Sequence, residues 1–263
     1  MTGQCLLHDY GALRLHGPDA RAFLQGQVSN DLAQLQAGLP LAAGLHNPQG
    51  RVLALLRLWP EDERAEGVLA TLPRERLAEV AAHLRRYVLR AKVQISDATA
   101  EWQVWGEQTA TGAVMHRLRP ASAPADAAAG PILDLSAWRT LEVAAGMPEI
   151  YSATAGEFVA QMLNLDCIGA IAWQKGCYTG QEIIARAHYR GQVKRRMRRF
   201  ACNTETAPEP GSHWTTRDGI AVRVVRSAAG TSGCEILAVA PLEARSADEL
   251  PLPYALPALT AAS

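Results

Sequence analysis

The chain has 263 residues, and its 26 basic and 26 acidic side chains leave a formal net charge of zero. Hydrophobic residues make up 48% of it, a globular composition, and no stretch approaches the ~18 consecutive apolar residues of a membrane span. Five cysteines without a Cys-x-x-Cys pair favour reduced thiols over a disulfide framework, and the histidines form no cluster with metal-ligand spacing. The first ten residues do not resemble a secretory signal. We therefore expect a cytoplasmic protein with no bound metal and no membrane partner.

The first half of the chain mixes strand and helix patterns. Residues 11–16 alternate between apolar and polar side chains, which predicts a half-buried strand. The sequence 17–19, Gly-Pro-Asp, is typical of a helix start. Residues 51–59 are almost continuously apolar, which predicts a central strand with 67–72 as its partner. One apolar face predicts a helix over 74–88.

The middle of the chain continues this mixture. Strands are predicted over 92–96 and 102–105. Residues 137–145 are predicted to form a helix that ends at the following glycine. Thr154 and Glu157 have the spacing of a capping box, which favours another helix directly after them.

After Gly191 the pattern changes to short strands separated by turn residues. The strand-like segments are 193–202, 220–225 and 235–239, a spacing that suits a small antiparallel barrel or sandwich. Residues after about 250 have few large apolar side chains and are expected to trail over the surface.

The densest group of chemically useful side chains is the segment Lys175-Gly176-Cys177-Tyr178-Thr179-Gly180-Gln181-Glu182. Its two glycines, Gly176 and Gly180, allow positive φ or a close approach to a ligand. The apolar residues that follow predict a short helix with Gln181 and Glu182 in its first turn. A tightly turned polar loop that runs into a helix is suited to hold a ligand or a reactive group.

The residues of this loop have plain structural interpretations as well. Cys177 can be an inert packed residue, although Lys175 and a helix N-terminus near Gln181 would both favour its thiolate form. No partner histidine is identifiable, so a Cys/His nucleophile is not supported. Glu182 can interact favourably with the helix dipole in the first turn, and Tyr178 can be a packed core residue.

Seven cations and no acid lie between residues 186 and 199, so the remainder of the chain carries −7. This basic segment is either a solvated face or a contact for an anionic partner, such as tRNA phosphates or the glutamate tail of a folate. Only Tyr189 and Phe200 flank it, which gives little support to base stacking. The candidate anion contacts are Arg190, Lys194, Arg195 and Arg196.

The loop motif and the following Ile-Ile-Ala-Arg-Ala of 183–187 closely resemble the YgfZ family. That family comprises folate-binding proteins related to the glycine-cleavage aminomethyltransferase, and it includes mitochondrial iron–sulfur assembly factors. The segments 23–31, 138–148, 190–191 and 252–254 match the family as well. The resemblance covers most of the chain and is weakest across 100–135 and 203–250.

The resemblance implies an α+β, aminomethyltransferase-like fold. Intertwined folate-binding subdomains would occupy 1–192, a C-terminal antiparallel β-barrel 193–250, and a tail 251–263. It also implies binding of tetrahydrofolate or a derivative, and a role in making or repairing iron–sulfur clusters in client enzymes. Those clients include radical enzymes that thiolate tRNA, which connects the family with tRNA modification.

The family's functional positions can be placed on this sequence. Its two folate aromatics, typically tryptophan, fall on Tyr10 and Trp138, and its functionally important thiol falls on Cys177. True aminomethyltransferases have a Gly-Gly-x-x-Asp-Asp stretch, which aligns with 50–55 here, where both acids are missing. A positioned acid or base is typically worth about 10²–10⁴-fold, so their absence argues against glycine-cleavage chemistry.

Three hypotheses follow from the sequence. The first is a folate-binding accessory protein for iron–sulfur enzymes. The second is a folate-dependent one-carbon transferase with an unknown acceptor. The third is a non-catalytic module that docks tRNA or an acidic protein.

Overall fold

The structure, a computed structural model, describes residues 2–61, 67–126, 130–191, 193–204, 206–230 and 233–257. In chain order the strands are β1 (Gly3–Leu6), β2 (Tyr10–His16), β3 (Leu41–His46), β4 (Val52–Pro60), β5 (Gly67–Pro73), β6 (Gln94–Asp97), β7 (Trp102–Gln108), β8 (Val114–Pro120), β9 (Arg195–Cys202), β10 (His213–Thr215), β11 (Ala221–Gly230), β12 (Gly233–Pro241) and β13 (Glu249–Leu250). The α-helices are α1 (Ala20–Gln25), α2 (Leu77–Arg85), α3 (Leu135–Ala144) and α4 (Gln181–Tyr189). Among the described residues, no helix is long and apolar enough to cross a membrane.

The N-terminal half forms a five-stranded antiparallel sheet in the order β3-β4-β5-β2-β6, with β4 and β5 buried along nearly their whole length. The predicted pairing of 51–59 with 67–72 is confirmed, because β4 and β5 are neighbours in the sheet. Helices α1 and α2 cover one face of it, where Leu24, Val80 and Leu84 are buried in a shared core. The predicted helix over 74–88 is confirmed as a 3₁₀ turn followed by α2.

A second antiparallel sheet has the order β1-β7-β8 and packs near α3. Strand β7 and helix α3 confirm the predictions over 102–105 and 137–145. Strand β8 is not predicted from the sequence, because His116 is its one fully buried side chain and its apolar residues stay half-exposed. Asp134 caps α3 by accepting a hydrogen bond from the backbone N–H of Ala137 at 2.7 Å.

The C-terminal strands form a third antiparallel sheet, β10-β11-β12-β9-β13. Side chains bring its two edges together: Arg217, just after β10, pairs with Asp248, just before β13, at 2.9 Å. In the described residues the backbone ladder itself ends at β10 and β13, so the sheet is open where a closed barrel was expected. The mixture of antiparallel sheets and separate helices confirms the α+β class.

The predicted capping box at Thr154 is wrong. Thr154 ends a 3₁₀ turn, and its Oγ1 accepts a hydrogen bond from the backbone N–H of Tyr151 at 3.0 Å. Glu157 is drawn away from the backbone because its carboxylate pairs with Arg223 of β11. A second 3₁₀ turn, Ala160–Leu163, stands where an α-helix was expected.

Residues 251–257 lie over the surface as predicted, alternately exposed and half-buried, but they are held in place, whereas 258–263 lie outside the described residues. The Tyr254 hydroxyl donates a hydrogen bond to the carbonyl oxygen of Gly146 at 2.8 Å. Leu252 packs against the apolar cluster shared by the third sheet and the segment around Leu163. The tail therefore ties the third sheet to the turn that ends α3.

Charged groups from all three sheets meet inside the protein. The central charge network consists of Arg57 of β4, His116 of β8, Arg139 and Glu142 of α3, Glu149 just after α3, and Arg226 of β11. All of these except Arg139 are at most 4% exposed. Because a buried charge left without a partner costs several kcal/mol, the network requires the three sheets to assemble in one arrangement.

Glu142 is the centre of this network. It lies 2.8 Å from His116 Nε2 and 2.6 Å from Arg139 Nη1, and it also pairs with Arg226. Burial alone would raise the pKa of this carboxyl group, but Arg226, His116 and Arg139 together hold it well below its usual range. Glu142 is therefore ionised within the core.

Stability is expected to fall in mild acid because two histidines are buried in their neutral form. Burial, reinforced by Arg57, lowers the pKa of His116 to about 4, and burial lowers that of His46 to about 3. Below the unfolded pKa of about 6.5, the unfolded chain takes up protons that the native state does not. The free energy of unfolding should drop between about pH 7 and about pH 5 by about 2 kcal/mol for each histidine, measured by urea denaturation.

The substitution His46→Leu should remove about half of this pH dependence, whatever its effect at neutral pH. The exposed His213 is the control, since His213→Gln removes a histidine without removing a buried one. An undiminished pH dependence in His46→Leu would contradict the assignment.

Candidate functional site

The motif forms a loop, Lys175–Gly180, that leads into α4; we call it the thiol loop. Lys175 fixes its start by donating three hydrogen bonds to the carbonyl oxygens of Gln25, Val28 and Asn30, at 2.6, 2.6 and 3.0 Å. These acceptors lie at the end of α1 and in the turn after it. An ammonium group has three N–H donors, so this anchor uses all of them. Burial lowers the Lys175 pKa to about 8.

Gly180 fixes the other end of the thiol loop. Its φ of +81° is in the left-handed region, and a Cβ there would lie 2.6 Å from the carbonyl oxygen of Asn47 and 2.9 Å from Gly50 Cα. The turn before β4 therefore packs directly on the backbone of Gly180. Gly176 differs from the expectation for both glycines: its φ is not positive, and an added Cβ would meet no atom within 4 Å.

Cys177 is exposed between these two fixed ends. Within the described residues its sulfur has no hydrogen-bond or ion-pair partner. Lys175, which was expected to favour the thiolate, instead directs its donors at backbone carbonyls at the end of α1 and in the turn after it. The predicted helix does begin at Gln181, four residues after the thiol. The loop thus presents an open thiol at a fixed position.

Tyr178 and Glu182 have structural environments. The Tyr178 ring is buried, with Lys175 Nζ 5.0 Å from its centroid and the His46 ring centroid at 6.1 Å. Burial raises the pKa of this phenol to about 12, so it stays protonated. Glu182 pairs with Arg186 at 3.0 Å along the exposed face of α4. Gln181 is half-buried in the first helical turn.

The two candidate folate aromatics lie together in the core, where they belong to one apolar cluster. Trp138 is fully buried, and its ring fills the space beside Gly106 that a side chain would otherwise occupy. Tyr10 is 2% exposed, and its hydroxyl donates to Glu149, which also accepts a 2.8 Å hydrogen bond from Arg57. Neither ring offers an open face to a ligand.

The basic segment divides into two groups with different roles. Three of its arginines pair with acids of the fold: Arg196 with Asp166 at 2.7 Å, Arg199 with Glu235 at 2.6 Å, and Arg198 with Glu249. Arg196 is only 4% exposed, so its assignment as an anion contact is wrong, because its charge is already neutralised inside the protein.

Arg186 pairs with Glu182 along α4, which leaves three cations of the segment. Arg190, Lys194 and Arg195 are exposed, and none has an ion-pair partner among the described residues. Sequence alone does not separate the two groups, since the acids that neutralise the paired arginines lie 30 to 51 residues away along the chain.

An aromatic group beside these cations was missed by the sequence reasoning. Trp173 stacks on His188, with ring centroids 3.8 Å apart and planes 18° apart, and Tyr189 meets both rings edge-on. Tyr189 flanks the basic segment, but Trp173 lies in the loop before the thiol and is brought there by the turn into α4. The one available signal in the sequence was that one aromatic ring, Trp173, comes just before the motif and two, His188 and Tyr189, come soon after it.

Comparison with known proteins places the chain among named relatives, although no protein-family model matches it. It is 30% identical to the tRNA-modifying protein YgfZ of Edwardsiella ictaluri, covering 81% of this chain and 75% of the relative. Identity to the protein of the same name from Serratia proteamaculans is 29%, covering 95% and 92%. An uncharacterized protein of Haemophilus influenzae is 31% identical over 78% of this chain and 76% of its own.

Among solved structures, the glycine cleavage system aminomethyltransferase T of Bartonella henselae shares this fold. The TM-score is 0.68 at 14% sequence identity, over 92% of this chain and 78% of the other. The expected aminomethyltransferase-like fold is confirmed.

The substitution Gly180→Ala should destabilise the protein by about 2 kcal/mol or more, because it forces a side chain into positive φ and against Asn47. Gly176→Ala is the matched control in the same loop and should change the free energy of unfolding by less than about 0.5 kcal/mol. Chemical denaturation of both variants measures the difference. Equal stabilities would contradict the packing of Gly180 against the turn before β4.

Proposed function

Because the chain belongs to the YgfZ family of tRNA-modifying proteins, we propose that it supports iron–sulfur enzymes that modify tRNA. In this proposal it binds tetrahydrofolate or a derivative, and Cys177 is its working thiol. The protein would act in the cytoplasm on client enzymes and would need no membrane.

The observation that carries the proposal is the exposed thiol on a loop fixed at both ends. Positioned thiols are useful to metal chemistry because thiolate is a soft ligand that suits iron–sulfur clusters. One thiolate supplies one of the cluster's usual four cysteine ligands, so Cys177 would act on a cluster held mainly by the client enzyme. Its exposure gives a protein partner access to the sulfur.

The residues that align with the aminomethyltransferase acids favour an accessory role over a transferase activity. Ala54 and Leu55 of β4 are 1% and 2% exposed, and each belongs to an apolar core cluster. Neither can orient or deprotonate an amine. The chain therefore lacks, at that place, the acid–base group that one-carbon transfer to nitrogen uses.

The surroundings of the two expected folate aromatics leave no space for a stacked ligand ring. Tyr10 and Trp138 are enclosed by the second sheet, α3 and the central charge network, so a flat ring cannot stack on either one as they stand. We propose that they act on folate binding indirectly, by holding the central charge network in place. Folate binding itself is proposed from the family and from the fold.

Replacing Cys177 by alanine should abolish thiolation of tRNA by the client enzymes, because the exposed sulfur is lost while nothing in the fold depends on it. The measurement is mass spectrometry of thiolated tRNA nucleosides in bacteria that lack their own relative and carry this protein or a variant. Cys234→Ala is the control, since Cys234 is a buried thiol of β12 that a partner protein does not reach. Wild-type thiolation with Cys177→Ala would refute the role of this thiol.

Calorimetric titration with tetrahydrofolate tests the ligand separately. Wild type and Cys177→Ala should bind with equal affinity, because the thiol is not placed at the ligand. Trp138→Phe keeps an apolar ring in the core. This variant should also bind tetrahydrofolate if Trp138 acts indirectly. Absence of tetrahydrofolate binding to wild type would refute folate as the ligand. If a folded Trp138→Phe protein alone failed to bind, Trp138 would have to contact the ligand directly.

A further inference from the structure

One face of the protein combines open aromatic rings with unpaired cations. The aromatic group, Trp173, His188 and Tyr189, joins the loop before the thiol to the last turn of α4. Tyr189 is 72% exposed, an unusual position for a large ring in a well-packed protein. The edge-on contacts of Tyr189 with its neighbours, at 4.8 and 6.4 Å, leave one face of its ring open to solvent.

The cations beside this group are placed to contact a chain of negative charges. Arg190 follows Tyr189 directly, and Lys194 and Arg195 lie at the start of β9. All three are exposed, and no acid of the described chain neutralises them. Lys194 follows Arg190 by four positions, so their Cα atoms lie within about 14 Å of each other.

A cavity completes the arrangement. Its volume is about 430 Å³, and its walls include Trp173, His188, Cys167 and Val193. This lies within the range of about 300–1,000 Å³ that is usual for ligand pockets. The stacked Trp173–His188 pair forms one wall, so a flat ring that enters the cavity meets an aromatic surface.

From these three features we propose that this face binds single-stranded RNA, with unstacked bases against the aromatic group and phosphates on Arg190, Lys194 and Arg195. Bases stack on aromatic side chains regardless of sequence, and a groove of cations follows the backbone. A duplex hides the faces of its bases, so the open rings favour a single strand. An acidic protein would pair with the cations, but its carboxylates would not stack on the aromatic rings.

The choice of RNA rests on the proposed function, in which tRNA is the final substrate. The binding surface lies close to the working thiol, because Trp173 precedes Cys177 by four residues and their Cα atoms are within about 14 Å. A bound single-stranded part of a tRNA would therefore lie next to the place where a client enzyme meets Cys177. RNA contact and thiol chemistry use different side chains, so each can fail alone.

The test is fluorescence anisotropy with the full chain and a labelled, mixed-sequence single-stranded RNA, at several salt concentrations. Tyr189→Ala should weaken binding roughly tenfold, as expected for loss of one base stack. The double substitution Lys194→Ala and Arg195→Ala should lower the slope of log affinity against log salt by about 1.4, because each single-strand phosphate contact contributes about 0.7. Since these side chains are exposed, the variants should keep their fold.

A second exposed patch provides matched controls. Tyr87→Ala removes another exposed ring, and Arg86→Ala with Arg90→Ala removes two exposed cations near the end of α2. These variants should bind as wild type does, and so should Cys177→Ala.

Three results would overturn the inference. They are unchanged affinity in Tyr189→Ala, losses in the Tyr87→Ala control equal to those in Tyr189→Ala, and equal affinity for the RNA duplex. Loss of tRNA thiolation in Cys177→Ala together with unchanged RNA affinity would show that the two proposals stand separately.

Discussion

The ammonium group of Lys175 joins two parts of the chain that are nearly 150 residues apart. Its three hydrogen bonds end on the carbonyl oxygens of Gln25, the last residue of α1, and of Val28 and Asn30 in the turn after it. Leaving a buried polar group unpaired costs about 1–3 kcal/mol, so the anchor satisfies the turn and fixes the thiol loop in one step. The position of Cys177, and with it the approach of any partner, follows from this contact.

From this anchor onward, a single segment carries most of the surface chemistry. Gly180 sets the direction of α4 by packing on the turn before β4, and α4 in turn carries His188 and Tyr189 to the ring of Trp173. The cations that follow divide between the core and the surface. The central charge network holds the three sheets together elsewhere in the core. A fixed exposed thiol and an open aromatic face are therefore neighbours on one segment.

Features set by nearby residues could be predicted from the sequence. The pairing of β4 with β5 and the start of α4 at Gln181 depend on local apolar patterns and on Gly180. Contacts between distant residues could not be predicted. The donors of Lys175 end on a turn near the N-terminus, and Arg196 is neutralised by Asp166. In each case tertiary packing determines the partner, and the spacing of residues in a single sequence does not indicate it.

The most direct test of the account is to release the thiol loop while leaving its sulfur intact. Lys175→Met keeps the length of the side chain but removes all three donors to the turn after α1. If the function depends on the fixed position of Cys177, thiolated tRNA nucleosides in cells carrying a folded Lys175→Met protein should fall toward the level of cells without the protein. Wild-type levels of thiolation in that variant would contradict the account.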